Sequence, residues 1–303
     1  MLRSLVVGVA HNKLIRKAAT GGAGRKVATR FVAGESLGEA IRVIRELNAE
    51  GASVSIDYLG ENVTDLGHAA AATDMYVRAL DAIGRERLLA NVSVKLTAIG
   101  LDVDPAAAER NARAITERAR DAGTSVTLDM EDHHYTDRTV DACVRLAGEF
   151  PGAAGVALQA YLRRTGHDLE RLVESGAHVR LCKGAYLEPR AIAYRARKDV
   201  DAAFKDLATR LLASTSYAMI ATHDEEMIRH AESEARRLGR AQETYEFQML
   251  YGVRRELQSR LLSRGENLRV YVPYGEQWYP YLTRRIAERP GNVRFFAEAL
   301  FRK

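Results

Sequence analysis

The sequence predicts an α/β protein whose strands close into a (β/α)8 barrel of the TIM type. Three observations lead there. Eight short β-rich runs recur along the chain, amphipathic segments of helical period separate them, and the eight units fit the length of about 250 residues usual for that barrel. The runs are SVSIDYLG (53–60), NVSVKLTA (91–98), SVTLDMED (125–132) and GVALQAYL (155–162), then HVRLCKGAY (178–186), YAMIATHD (217–224), YEFQMLYG (245–252) and LRVYVPYG (268–275). Alternation of strand and helix implies a parallel sheet covered on its faces.

The helical segments carry their own punctuation. DPAAAERNARAITERARDAG (104–123) opens on Asp104 as a cap and Pro105 in the first turn. DEEMIRHAESEARRLG (224–239) starts acidic and ends basic with a glycine stop, as the helix dipole prefers. DAAFKDLATRLLAST (201–215) shows the same amphipathic period, and residues 36–50 form a helix leading into the first strand. An open doubly wound sheet is disfavoured because DYLGENV, after the first strand, lacks the GxGxxG loop. TGGAGRK (20–26) is glycine-rich, but no strand precedes it and no Lys-Ser/Thr pair follows, so it reads as a connector. The expected layout is a basic arm over residues 1–34 and a barrel over 35–303, with extra N-terminal helices and a C-terminal helix across the mouth.

Charge narrows the partners. The net charge of +5 is concentrated in Arg3, Lys13, Arg16, Lys17, Arg25, Lys26 and Arg30, with no acidic residue before Glu35. The rest of the chain is near neutral, which argues against nucleic acid as a partner. The apolar stretch SLVVGVA is short and runs into basic helical sequence, unlike a secretory signal. No run reaches the roughly 20 apolar residues of a membrane span. The expected location is the cytoplasm, with a peripheral contact at the inner face of the cell membrane. Cys143 and Cys182 sit far apart in apolar contexts, which fits a reducing compartment.

Chemistry in such a barrel gathers at the C-terminal ends of the strands. Those ends offer Lys95, Asp129, Gln159, Tyr161, Arg180, Lys183, Tyr186, Thr222, His223, Gln248, Tyr271 and Tyr274. Lys95 lies among valines and must be paired or reach toward water. Asp129 reads as a helix cap, as the counter-ion of Lys95, or as both, and His223 alone reads as a helix cap. Glu131, Asp132, His133 and His134 cluster without the spacing of a metal site, so no metal is expected. No nucleophile–base spacing stands out, and a site of Lys, Arg, Tyr and Gln binds anions while leaving the harder chemistry to a cofactor. Arg284 and Arg285 follow the last strand, with Glu288 placed to orient a guanidinium. Together with Lys95 they form a clamp suited to a carboxylate.

In order, SVKLTA, LDMED, QAYLRRT, RLCKGAY, ATHD, YEFQMLYG and YVPYG…YLTRRIAE resemble flavin-dependent proline dehydrogenase of the monofunctional bacterial type, over residues 35–303. The resemblance implies a distorted (β/α)8 barrel with FAD at its mouth. It further implies oxidation of L-proline to Δ1-pyrroline-5-carboxylate, the first step of proline catabolism, with electrons passed to a quinone-type acceptor. Catalysis falls to Lys95, Asp129, Arg180 and Tyr271. Substrate contacts fall to Lys95, Tyr186, Tyr271, Tyr281, Arg284, Arg285 and Glu288. Cofactor contacts fall to Gln159, Arg180, Lys183, Gly184, Ala185, Thr222 and His223. The chain departs from the family pattern at Asp224, where Asn is frequent, and at Leu187, where some members have Trp. With Lys303 as the last residue, a monofunctional protein is expected, without the aldehyde dehydrogenase of bifunctional relatives. From the residues alone, two other readings stand: a Schiff-base barrel of class I aldolase type using Lys95, and a non-catalytic carboxylate-binding barrel.

Overall fold

The computed structural model describes residues 29–60, 63–279 and 281. The basic arm up to residue 28, any helix within it, and the segment bearing Arg284, Arg285 and Glu288 lie outside the described residues.

Eight parallel strands close into one barrel in chain order, with the last pairing back to the first. They are β1 (Ser53–Tyr58), β2 (Ala90–Val94), β3 (Val126–Leu128), β4 (Ala154–Gln159), β5 (His178–Cys182), β6 (Ala218–Ala221), β7 (Tyr245–Leu250) and β8 (Leu268–Tyr274). Each falls within or beside its predicted run but stops earlier, because the polar residues at its C-terminal end turn out into the site loops.

Helix α1 (Leu37–Ala49) precedes β1 and packs against β1 and β8, covering the seam where the barrel closes. A reciprocal cap starts it: Ser36 Oγ accepts from Glu39 N–H at 3.3 Å, and the Glu39 carboxylate accepts from Ser36 N–H at 3.0 Å. The helices after β1 to β7 are α2 (Leu66–Glu86), α3 (Pro105–Asp121), α4 (Thr136–Glu149), α5 (Thr165–Glu174), α6 (Arg197–Ala213), α7 (Glu225–Arg237) and α8 (Arg255–Ser263). Asp104 caps α3 ahead of Pro105, as its sequence requires.

Strand register decides what fills the barrel. Val54 is level with Ala90 and Val270, whereas Ser55 is level with Asn91 and Tyr271. One parity continues round the sheet as Val54, Ile56, Val92, Val94, Val126, Leu128, Val156, Leu158, Val179, Leu181, Ile220, Phe247 and Val270, all buried and apolar. These residues join the helix faces in one large core. The other parity carries Ser55, Asp57, Asn91, Ser93, Thr127, Asp129, Arg180, Glu246, Gln248, Arg269 and Tyr271, which bond to one another across the lumen. TIM barrels usually fill this space with branched apolar side chains. Here it is polar for much of its depth.

A smaller apolar cluster joins Phe31, Val32, Leu59, Trp278 and Tyr281. Residues 30–34 reach it by lying against the ends of β7 and β8. Ala33 N–H donates to Pro273 O, and Gly275 N–H to Gly34 O, each at 2.9 Å. Gly252, with φ +72°, is required there because a Cβ would fall 1.9 Å from the Arg30 carbonyl oxygen.

Candidate active site

At the C-terminal mouth, two buried carboxylates and two cations interlock. Lys95 follows β2, and its Nζ donates to Asp57 Oδ2 at 2.9 Å and to Asp129 Oδ2 at 3.5 Å. The nearer carboxylate therefore comes from β1, from a residue that sequence reasoning did not single out. Asp129 also accepts from Tyr271 OH at 2.7 Å, from Ser93 Oγ at 2.7 Å and from Arg180 Nη1. This rules out the cap reading of Asp129, since α4 begins seven residues later. The other contacts of Arg180 are Gln248 Oε1 at 2.6 Å, Ser93 Oγ at 3.0 Å and Ser55 Oγ at 3.3 Å. Its guanidinium carbon lies 5.4 Å from the centre of the Tyr271 ring.

The two carboxylates titrate in opposite directions. Burial pushes Asp57 above the ordinary aspartate value despite the attraction of Lys95. Burial pushes Asp129 the same way, but Lys95, Arg180, Ser93 and Tyr271 together hold it below that value. The Tyr271 phenol is raised well above its usual value by burial and by Asp129, so it remains a hydrogen-bond donor. Because the charges balance locally, this cluster tolerates enclosure with Lys95 only 12% exposed.

Gln159, Lys183, Gly184, Ala185, Tyr186, Thr222 and His223 lie at or after the ends of β4, β5 and β6, whereas Arg284, Arg285 and Glu288 lie outside the described residues. Gln159 donates to Glu131 O at 3.0 Å and accepts from Ala185 N–H at 3.4 Å, tying the loops after β3 and β5. Gly184 has φ +111°, and a Cβ there would meet the Tyr161 ring at 2.3 Å, so no other residue fits without displacement. Lys183 Nζ lies between Asp201 and Asp224, the latter at 2.8 Å. Asp224 also caps α7, accepting from Glu226 N–H at 3.1 Å. The residue that departs from the family pattern thus has two local tasks, and the cap role once open to His223 belongs to it. His223 Nε2 instead accepts from Leu250 N–H at 2.9 Å, and Thr222 Oγ1 accepts from Asp224 N–H at 3.1 Å. Tyr186 lies in the loop after β5, half-buried, and Tyr281 is buried in the small apolar cluster.

Asp132, His133 and His134 bring one ligand atom each within 4.8 Å of one another. His134 Nδ1 lies 3.0 Å from Asp132 Oδ1, and His133 Nδ1 lies 2.5 Å from Glu188 Oε2. Cys143 is buried, which drives its thiol pKa upward, and Cys182 Sγ lies 3.4 Å from Leu158 O.

A closed parallel barrel with a charged, enclosed cluster at the C-terminal ends of its strands defines a protein of the (β/α)8 class with a candidate site at its mouth. Comparison with known proteins narrows this: residues 40–298 match the proline dehydrogenase family. The chain is 36% identical to proline dehydrogenase 1 of Bacillus subtilis over 303 residues, covering all of both chains. It is 37% identical to proline dehydrogenase of Deinococcus radiodurans over 280 residues, covering 91% of this chain and 90% of that one. The chain belongs to the proline dehydrogenase family, whose activity is the first step of proline catabolism. Its barrel is also similar to that in the crystal structure of proline utilization A (PutA) from Bdellovibrio bacteriovorus, with TM-score 0.81 and 24% identity. That match covers 90% of this chain and 35% of the other.

Proposed function

We propose that this chain oxidises L-proline to Δ1-pyrroline-5-carboxylate with FAD as hydride acceptor, passing the electrons on to a quinone-type acceptor. The observation that carries the reading is the cluster of Lys95, Asp57, Asp129, Arg180 and Tyr271 at the mouth of a barrel of this family. Lys95 supplies fixed positive charge for the substrate carboxylate, and Arg284 and Arg285, steadied by Glu288, complete the clamp. Tyr271, Tyr281 and Tyr186 pack around the ring. Holding the carboxylate at one end sets carbon 5 at the other, and positioning of this kind supplies much of the rate.

The residues present suit FAD. Arg180 and Gln159 bring a guanidinium and an amide to the mouth, Lys183 brings an ammonium held between Asp201 and Asp224, and Gly184 lets the loop lie against the Tyr161 ring beside Ala185. Thr222 and His223 extend this side of the site. FAD, when bound, supplies the two-electron acceptor. Loss of hydride from carbon 5, with the nitrogen electron pair forming the carbon–nitrogen double bond and the nitrogen proton leaving to solvent, would give the product. The aldolase reading is weaker, because two carboxylates within 3.5 Å of Lys95 favour its ammonium over the neutral amine that a Schiff base needs.

The test is an absorbance spectrum. Purified protein is expected to be yellow and to bleach when proline is added without oxygen. Well-folded protein that neither retains nor rebinds FAD contradicts the reading, as does borohydride trapping of a substrate on Lys95.

The proposed setting is the cytoplasm, with contact at the membrane surface. Among the described residues, no helix is long and apolar enough to cross a membrane. Residues 1–30, with Leu5, Val6, Val9 and Leu14 beside Lys13, Arg16 and Lys17, suit attraction to anionic headgroups. Salt-sensitive binding to anionic vesicles should disappear when residues 1–30 are deleted, while dye-linked activity persists. Equal binding by both forms would remove the arm from the membrane contact.

A further inference from the structure

Below the mouth cluster, the lumen holds a second set of charges that the proposed reaction does not use. Glu246 on β7 accepts from Arg269 Nε at 2.7 Å and from Tyr217 OH at 3.0 Å. Arg269 is tied in turn to Val54 O at 3.0 Å. Burial pushes the Glu246 carboxyl up, but Arg269, Gln248 and Tyr217 hold it below its ordinary value. A buried ion pair is weak evidence of stabilisation, since apolar packing of the same volume often serves as well.

What joins this pair to the mouth is Gln248, two residues further along β7. Its Nε2 donates to Glu246 Oε1 at 2.6 Å, and its Oε1 accepts from Arg180 Nε at 2.6 Å. The order is dictated by chemistry. A carboxylate only accepts and a guanidinium only donates, so the amide NH2 must face Glu246 and its oxygen must face Arg180. With the amide reversed, a donor would face a donor and an acceptor an acceptor. Arg180 also makes contacts on the opposite side, with Ser55, Ser93 and Asp129 on β1 to β3. Gln248 pulls from β7 against those three, and the two sides together fix the plane of the fork.

We infer that Glu246 and Gln248 are positioning residues that set the orientation of the Arg180 guanidinium from beneath the site. Glu246 fixes the amide of Gln248, and that amide holds the Nε edge of Arg180 while Asp129 holds Nη1. This rests on the reading that places Arg180 beside the reacting centre.

The test compares Gln248→Met, which removes the acceptor at similar volume, with Gln248→Glu, which restores an acceptor for Arg180 Nε while giving up the donor to Glu246. Two readouts are taken on the full-length, FAD-loaded protein: kcat and KM for proline, and hydrogen exchange at Arg180 Nε–H. Gln248→Met is expected to lower kcat about tenfold or more, a loss of about 1.4 kcal/mol. KM should stay within about threefold, since the carboxylate clamp is untouched. Exchange at Arg180 Nε–H should quicken at least about tenfold in Gln248→Met and slow again in Gln248→Glu. Glu246→Gln, which loosens the amide without removing it, is expected to give a smaller change in the same direction. Unchanged exchange and unchanged kcat in folded Gln248→Met overturn the inference. So does a kcat loss that merely follows loss of FAD or of folded protein. Failure of the parent reading shows separately, as wild-type protein whose flavin proline does not bleach.

Discussion

The two faces of the barrel sheet differ in what they bury. The outer face is Val, Ile, Leu, Phe and Met packed against helices, whereas the inner face carries Asp, Glu, Lys, Arg, Ser, Thr, Asn and Gln linked by hydrogen bonds. Both faces are shielded from water, so burial alone does not distinguish them. The outer face gains from removal of apolar surface, about 25 cal/mol per Å2. The inner face gains little in net stability, because desolvation offsets most of the attraction between its charges. It gains orientation instead, since Arg180 and Arg269 are each held by partners from several strands. The outer face holds the barrel together, and the inner face aims its functional groups.

The comparison predicts losses of activity on the inside and losses of stability on the outside. The largest expected effect follows Asp129→Asn. This leaves two cations facing a neutral amide, and kcat/KM for proline should fall roughly 100-fold, near 3 kcal/mol. Steady-state kinetics on FAD-loaded protein check it, and a loss under about fivefold would separate Asp129 from the reaction. Arg284→Met and Arg285→Met should each raise KM for proline about tenfold or more while FAD stays bound, as expected for one charge-assisted partner lost. Ser55→Ala, which removes a 3.3 Å contact to Arg180, should change kcat/KM by less than about threefold.

Acid denaturation offers a further separation. Asp129 and Glu246 are held below the ordinary carboxylate value, so each contributes stability that is present above about pH 4 and lost as the pH falls through its folded value. Asp57 is raised, so its contribution is present at low pH and fades as the pH rises through its folded value. The stability gap between wild type and Glu246→Gln should be widest near neutrality and should narrow below about pH 4. Urea titrations at several pH values measure it, and a constant gap would contradict the assignment.

All eight strands were legible as apolar runs, and so was the position of the site at their C-terminal ends. The inner face was only half legible. Lys95, Asp129, Arg180 and Tyr271 stood out as polar residues beside strand ends, but Asp57 and Glu246 did not, because each is a single acid within its strand whose cationic partner comes from elsewhere in the chain. A signal was present: SVSID, NVSVK and RVY alternate polar with apolar at period two. That pattern ordinarily marks a strand with one face in water. In a closed parallel barrel the same alternation marks a polar lumen, and telling the two apart requires knowing that the sheet closes. The pairing of Lys95 with Asp57 follows from the register of β2 beside β1, which the local sequence does not print.

The most direct test of this division sets a paired inner replacement against an outer truncation. Lys95→Met/Asp57→Asn removes both charges of the buried Lys95–Asp57 pair, and Val92→Ala opens a small cavity in the outer core. Unfolding free energy and kcat/KM for proline are measured on both. The paired replacement should change stability by less than about 1.5 kcal/mol, as when both partners of a buried pair go together, yet lower kcat/KM about 100-fold or more. Val92→Ala should cost roughly 1.5–3 kcal/mol in stability and change kcat/KM less than about twofold. Retained turnover in the paired variant, or parallel losses of stability and activity in both, would contradict the account.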